Sequence, residues 1–237
     1  MSESRHNPDQ LLKEIQADEE NSNKGHLKIF FGYAAGVGKT YAMLEAAHMA
    51  KQQGIDVVAG YVEPHARPKT AALLNGLEVL PTREVFYNGM ILDEFDIGMA
   101  LKRKPQLILV DELAHTNAEG CRHAKRYQDI KELLNAGIDV YTTVNVQHIE
   151  SLCDTVASIT EIVVRERIPD SIFDNADQVE LIDIEPQDLI NRLNTGNVYR
   201  QTQEKQAVEN FYTIENLTAL REISLRRCAD RVNILTE

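Results

Sequence analysis

The chain has 237 residues, a length that suits one sizeable α/β core about as well as two small domains. Hydrophobic residues make up 43% and charged residues 26%, which argues against disorder, and the net charge of −12 argues against a nucleic-acid or anionic membrane surface as the main partner. No apolar run approaches the roughly 20 residues of a membrane span, the polar N-terminus is unlike a signal peptide, and three cysteines without CxxC spacing favour a cytoplasmic location.

The N-terminal end is predicted to be a polar arm at residues 1–25. Asn7 would cap a short helix there, and Pro8 suits the first helical position. The rest of the chain, residues 26–237, is predicted to form one domain because it contains no linker-like or low-complexity run.

A glycine-containing loop follows the first predicted strand, at 27–31, and opens directly onto a helical pattern. This strand–loop–helix order is the context of a phosphate-binding P-loop. Gly36 and Gly38 let the backbone curl so that successive N–H groups point at phosphate oxygens, and the start of the following helix favours an anion. Lys39 is expected to reach the β- and γ-phosphates of a nucleotide, and the Thr40 hydroxyl to hold Mg²⁺.

The loop departs from the usual pattern at its first glycine. The pattern places a glycine six residues before the lysine, whereas Tyr33 occupies that position here and Gly32 lies one residue too early. The alternative is a strand-to-helix turn without a ligand, but the context favours a nucleotide site. The predicted nucleotide-binding residues of the loop are Ala35, Gly36, Val37, Gly38, Lys39 and Thr40.

Six elements are predicted next: a helix, a strand, a short helix, two short strands and a helix, at 40–53, 55–62, 69–75, 79–81, 85–87 and 93–104. Glu63, His65 and Arg67 follow the strand 55–62 at its carboxyl end, where ligands gather in open α/β sheets. These side chains could contact a γ-phosphate, a second substrate or an effector. Alternatively, 63–68 is only a polar loop stiffened by two prolines, and the sequence favours neither.

The second strong motif is QLILVDE at 106–112. Its four aliphatic residues and two acids predict a central buried strand whose carboxylates emerge at the carboxyl end. Asp111 is expected to hold Mg²⁺ through water, opposite Thr40, and Glu112 to orient or deprotonate an attacking water. Acidic strand ends are common on solubility grounds, but Gly-Lys-Thr lies about seventy residues upstream, a separation that fits two intervening βα units.

Basic side chains cluster near the start of the next helix, which Tyr127, Ile130 and Leu134 predict by their helical spacing. The cluster consists of Arg122, Lys125, Arg126 and Lys131. Their charge could serve phosphates, although a solvated helix face is the more frequent explanation for such a cluster.

A strand predicted at 138–144 carries polar residues at its exit. In many P-loop ATPases a polar residue at this point senses the γ-phosphate, and Asn145 is the candidate here. The alternative for Asn145 and Gln147 is capping of a helix at 146–157. The later predicted elements are strands at 159–164 and 179–184, a helix at 185–193 and one or two helices within 203–234. Four arginines of that last segment are interpreted as a solvated or partner-facing surface: Arg221, Arg226, Arg227 and Arg231.

Four stretches together resemble the N-terminal cytoplasmic domain of the potassium-responsive sensor histidine kinase family KdpD: IFFGYAAGVGKTYAML, LILVDELAHTN, RHAKRYQDI and AGIDVYTTVNVQHIESL. The resemblance implies an α/β, three-layer, P-loop NTPase-like fold with a mainly parallel central sheet and C-terminal helices. The family usually has a proline in the loop, which this chain lacks at 33–36. Lys39, Thr40 and Asp111 are unaffected by that departure, so ATP and Mg²⁺ remain the expected ligands.

The resemblance implies a regulatory ATP-binding domain of a two-component system that controls potassium uptake. The chain has no room for a kinase core, so its expected partner is a histidine kinase core supplied elsewhere, and the chain is either a fragment or a stand-alone member acting in trans. Two other functions stay open. One is a P-loop ATPase or small-molecule kinase that uses Glu112 as its base, and the other is a scaffold with a vestigial loop.

Overall fold

The computed structural model describes residues 24–63, 68–87, 89–195 and 211–236. The predicted arm helix near Asn7 and Pro8, the segment 64–67 and the start of the predicted terminal helical region at 203–210 lie outside the described residues. The division into an arm at 1–25 and a domain at 26–237 stays a prediction.

Six strands form one sheet in which every neighbouring pair is parallel. They are β1 (Leu27–Gly32), β2 (Val57–Tyr61), β3 (Glu78–Val79), β6 (Leu107–Val110), β7 (Asp139–Asn145) and β8 (Gln178–Leu181). Their order is β3-β2-β6-β7-β1-β8, so β7 lies between the strand that precedes the glycine loop and the strand that precedes the two acids. Two further strands, β4 (Arg83–Tyr87) and β5 (Met90–Glu94), pair as a separate antiparallel hairpin.

The helices of the described residues connect these strands and follow the last one. They are α1 (Lys39–Gln52), α2 (Pro68–Ala72), α3 (Ile97–Arg103), α4 (Arg126–Asn135), α5 (Cys153–Thr160), α6 (Asp170–Asp174), α7 (Pro186–Thr195) and α8 (Ile214–Thr236). Two 3₁₀ turns, Val146–His148 and Glu150–Leu152, precede α5.

Both faces of the sheet are covered, because successive residues of its central strands enter different hydrophobic clusters. In β1, Ile29 and Phe31 belong to one cluster, whereas Phe30 belongs to the cluster beneath α1. β6 alternates in the same way, with Ile108 on one face and Leu109 on the other. Side chains of a strand point alternately to its two faces, so this division means helices on both sides. The predicted three-layer α/β fold is confirmed.

Two predicted elements after β7 are wrong. The predicted strand 159–164 is instead the end of α5 and an irregular segment, and Val163 in it is 71% exposed. Glu161 ends α5 in a left-handed conformation, with φ 59°. The predicted helix 146–157 is interrupted, because two 3₁₀ turns occupy its first half. Short apolar runs do not distinguish a strand from a partly buried helix end.

The last helix is not lined by solvated arginines throughout. Arg227 and Arg231 are both buried, and both contact α6 or the residues just after it. Arg227 donates to Asp174, with Nη2 and Oδ1 2.6 Å apart, and Arg231 donates from Nε to the Phe173 carbonyl at 3.2 Å. For these two the surface interpretation is wrong, because the acid and carbonyls that satisfy them lie more than fifty residues upstream. No helix in the described ranges combines the length and apolar character that crossing a membrane requires.

Candidate functional site

A cavity of about 1010 Å³ lies at the carboxyl ends of β1, β6 and β7. The glycine loop and the start of α1 line one side of it, and the residues that follow β6 and β7 line the other. The lining residues are 35–42, Glu63, 68–70, Asp111, Glu112, Ala114, His115, 143–145, His148, Glu166, Ile182, Arg192, Leu193 and Thr195. The residues predicted to bind nucleotide, to hold Mg²⁺ or to act as a base all belong to this set, so the sheet brings them together: 35–40, Asp111, Glu112 and Asn145.

Carbonyl groups of the glycine loop accept hydrogen bonds from side chains. Lys39 Nζ donates to the Ala34 carbonyl at 3.0 Å, and the Tyr212 hydroxyl to the Ala35 carbonyl at 3.2 Å. Gly36 and Gly38 have φ of 97° and 115°, a conformation that residues with a Cβ rarely adopt. The amide N–H groups of these two glycines have no acceptor elsewhere in the described residues. Curled amides of this kind form a concave binding surface for anions.

Tyr33 and Gly32 explain how the loop closes despite its irregular first position. Tyr33 is fully buried, its hydroxyl donates to the Ile184 carbonyl at 3.0 Å, and burial raises its pKa to about 12. A Cβ on Gly32 would lie 2.7 Å from Val37 Cγ2 and 3.2 Å from Lys39 Cδ. The close approach that needs a glycine is therefore at residue 32, and Tyr33 anchors the loop to the segment after β8.

Asp111 connects the two sides of the cavity. Its carboxylate accepts a hydrogen bond from the Thr40 hydroxyl at 3.0 Å, another from the Thr143 hydroxyl, and a third from the Glu112 amide at 3.1 Å. These bonds fix the carboxylate, which is almost fully buried, against the first turn of α1. Lys39, Thr40 and Asp111 therefore face one shared cavity.

The hard oxygen atoms of Thr40 and Asp111 are of the type that Mg²⁺ takes as ligands. Among the residues that the structure describes, no group of three or more His, Cys, Asp or Glu side chains is placed to hold a metal ion. The donor set fits Mg²⁺ rather than a metal with an all-protein cage, because Mg²⁺ commonly takes one or two protein oxygens and completes its shell with water and phosphate.

Glu112 lies at the cavity in a strained backbone conformation. Its φ is 60°, in the left-handed region that is uncommon for residues other than glycine. One carboxylate oxygen lies 3.6 Å from Nη1 of Arg126, and the side chain is 36% exposed. Glu112 thus reaches both solvent and a buried cation. Its predicted role toward an attacking water stays a prediction.

Arg126 is fully buried, contrary to the solvated helix face that its sequence neighbours suggest. It donates to the Asp111 carbonyl and to the Glu94 carboxylate, each at 3.2 Å, and its guanidinium stacks 4.1 Å from the centre of the Tyr61 ring. Burial alone would raise the pKa of Glu94, but hydrogen bonds from His115 and the Ala118 amide, with the charges of His115 and Arg126, hold it below its usual value. Arg126 joins the end of β5 to the tip of β6.

The tip of β7 carries Asn145, whose side chain does not cap the turn that follows it. Asn145 lines the cavity, and its Oδ1 is buried without a hydrogen-bond partner among the described residues. Gln147 is outside the lining set, whereas His148 is inside it, and its Nδ1 lies 2.8 Å from the Glu166 carbonyl. Burial lowers the pKa of His148. Because the Asn145 side chain makes no capping hydrogen bond, the capping alternative is excluded for this residue.

The family to which this architecture belongs is decided by comparison with known sequences. The family described as "Osmosensitive K+ channel His kinase sensor domain" matches residues 23–232. The chain belongs to the KdpD family. This confirms the resemblance in the sequence motifs, and it covers every described element of the sheet.

Three curated relatives show how much of a KdpD protein this chain represents. Sensor protein KdpD of Clostridium acetobutylicum is 61% identical over 98% of this chain and 26% of its own length. Sensor protein KdpD of Escherichia coli K12 is 55% identical over 97% of this chain and 25% of its own length. The Putative sensor protein KdpD of Synechocystis is 51% identical over 88% of this chain and 56% of its own length. The chain spans about a quarter of the first two relatives and about half of the third.

Three residues of this KdpD domain show where the cavity agrees with the sequence prediction and where it differs. Arg122 pairs with Glu132 on the outer surface, at 2.5 Å, and does not line the cavity. Glu63 lines the cavity, while its predicted neighbours 64–67 lie outside the described residues. Arg192, from α7, lines the cavity and was not predicted, because an arginine on a polar helix face carries no local signal of a site.

Proposed function

We propose that this KdpD domain is a regulatory sensor domain that binds Mg-ATP and modulates a histidine kinase core supplied elsewhere in a two-component system controlling potassium uptake. One observation carries the proposal: the Thr40 hydroxyl and the Asp111 carboxylate meet at 3.0 Å beside the glycine loop, in a cavity of about 1010 Å³. A cavity of this size accommodates a nucleotide, since ligand pockets commonly measure roughly 300–1,000 Å³.

Each group of the cavity has a role in the proposed complex. The amides of the loop 35–38 would hold the phosphates, and Lys39 would neutralise their charge. Mg²⁺ would lie between Thr40 and Asp111, which now share a direct hydrogen bond. Asn145 Oδ1, which is buried without a partner among the described residues, would accept a hydrogen bond from the attacking water, and the Nδ2 of the same side chain would donate to the terminal phosphate.

Regulation requires that nucleotide binding favour one arrangement of the domain over another. The segments 63–68 and 112–123 are the proposed responsive parts, because Glu63, Glu112 and His115 line the cavity. A partner kinase core on the cytoplasmic side would bind one arrangement more tightly, and that difference in affinity is what would transmit the signal.

Asp111→Asn tests the proposed metal site. We expect Mg-ATP affinity to fall about tenfold, because the amide has nearly the shape of the carboxylate and its Nδ2 can donate to the Thr40 hydroxyl, but it lacks the charge that attracts Mg²⁺. Isothermal titration calorimetry with ATP, in Mg²⁺ and again in EDTA, measures the change. Asp154→Asn on the exposed side of α5 is the matched control and should keep the wild-type difference between the two conditions. A variant at residue 111 that retains that difference would contradict the metal assignment.

The second candidate function is an ATPase or small-molecule kinase, favoured by the strained, cavity-facing Glu112. Under the regulatory proposal we expect phosphate release slower than about one per second, below the usual range of enzymes. Glu112→Gln should keep ATP affinity within about threefold, because a base toward water contributes little to ground-state binding. A continuous phosphate-release assay with both proteins measures this. Fast turnover that Glu112→Gln abolishes would favour the enzyme instead.

A further inference from the structure

Arg192 reaches the glycine loop from the C-terminal part of the fold. Its Nη1 donates to the Gly36 carbonyl at 3.3 Å and to the Val37 carbonyl at 3.2 Å. A Cβ built on Gly38 would lie only 3.5 Å from the same nitrogen. The guanidinium is therefore in contact with the turn of the loop, at the wall of the cavity.

The charge of Arg192 is not neutralised by an acid in the described part of the chain, where its hydrogen bonds go only to the two loop carbonyls. Arg221 on α8 shows the more usual situation, since it pairs with Asp183 and Glu185 at 2.7 Å each. A guanidinium carries five N–H donors, and a single nitrogen makes both contacts of Arg192. The remaining donors are available to a second acceptor, and oxyanions match the fork geometry of arginine.

We propose that Arg192 binds the α- and β-phosphates of the nucleotide, an inference that rests on the proposed function. The loop backbone is the part of such a site that holds the α- and β-phosphates, whereas the lysine reaches the β- and γ-phosphates and the hydroxyl the metal. Arg192 contacts the loop at 36–37 and not the Thr40–Asp111 end. Helix α7 then contributes a residue to the nucleotide site.

A purely structural role is the competing explanation, in which Arg192 only holds the loop carbonyls. Two substitutions separate the roles. Arg192→Gln keeps an amide that can donate to the carbonyls but loses the charge, whereas Arg192→Lys keeps the charge. A contact between the charged side chain and a phosphate is screened by salt. A neutral hydrogen bond that only holds the loop carbonyls is not.

Calorimetric titration of the wild type and both variants with Mg-ATP and with Mg-ADP tests the proposal at low and high salt. We expect Arg192→Gln to lower the affinity for both nucleotides by about fivefold to tenfold at low salt, and by less at high salt. The expected loss is modest because the Arg192 side chain is exposed to solvent. Arg192→Lys should retain most of the affinity. Arg226→Gln, which removes one exposed arginine from α8, is the charge-matched control and should bind as the wild type does.

Three results would overturn the inference. They are equal affinities for Arg192→Gln and Arg192→Lys, a loss confined to ATP, and a loss that salt does not change. Each of these leaves the proposed function standing if Lys39→Ala still weakens binding. A wild-type protein that binds neither nucleotide would overturn the inference and the proposed function together.

Discussion

Replacing Lys39 with alanine is expected to weaken Mg-ATP binding by about 2–3 kcal/mol, roughly 30- to 150-fold, because a hydrogen bond to a charged group is lost. In the structure, Nζ donates to the Ala34 carbonyl at 3.0 Å, and Lys39 is 9% exposed. The ammonium is thus already positioned inside the cavity, beside the loop amides. Calorimetry or competition with a fluorescent ATP analogue measures the change in dissociation constant.

Lys51→Ala is the matched control for this experiment, because it removes the same charge from the exposed end of the same helix. It should bind Mg-ATP as the wild type does. Thermal unfolding of both variants checks that the fold is retained. Equal ATP affinity of Lys39→Ala and the wild type would remove the basis for a nucleotide site in this loop.

Arg126→Met should lower the free energy of unfolding by about 3–5 kcal/mol, the usual cost of removing one partner of a buried ion pair. The Glu94 carboxylate would be left buried with His115 as its remaining basic neighbour, and the Asp111 carbonyl would lose a donor. Urea denaturation followed by circular dichroism gives the change, provided that the denaturant slope is unchanged.

A second substitution distinguishes the buried charge from simple loss of packing. The double variant Arg126→Met/Glu94→Gln should be more stable than Arg126→Met alone, because no unpaired charge then remains buried. Arg122→Met, at an exposed pair four residues away, should change the free energy of unfolding by less than about 1 kcal/mol. If Arg126→Met costs no more than Arg122→Met, the pair with Glu94 does not stabilise the fold.

The parts of the site that local sequence encodes could be predicted. A strand, a glycine loop and a helix are consecutive, so their geometry follows from Gly36, Gly38 and the helix start alone. The strand that ends in Asp111 is a continuous aliphatic run with acids at its tip, a pattern that a buried parallel strand produces. Asn145 follows in the same way from the carboxyl end of β7.

The parts that depend on distant contacts could not be predicted. Arg126 resembles its exposed neighbours in sequence, and its burial depends on Glu94, which lies thirty-two residues earlier at the end of a hairpin strand. The helix predicted at 93–104 begins only at Ile97, and Asp93 and Glu94 are instead the last residues of β5. Arg192 depends on how α7 packs beside the loop, which no spacing within 186–195 reveals.

The loop that begins the domain is completed by residues near its end. Tyr33 bonds to Ile184, Gly36 to Arg192 and Ala35 to Tyr212, across sequence separations of 151, 156 and 177 residues. Contacts of such separation form late in folding, because a long stretch of chain must be ordered first. A nascent chain synthesised only as far as residue 183 would therefore carry the whole glycine motif without Ile184, Arg192 or Tyr212, and the loop would gain these contacts only after that later segment had been made.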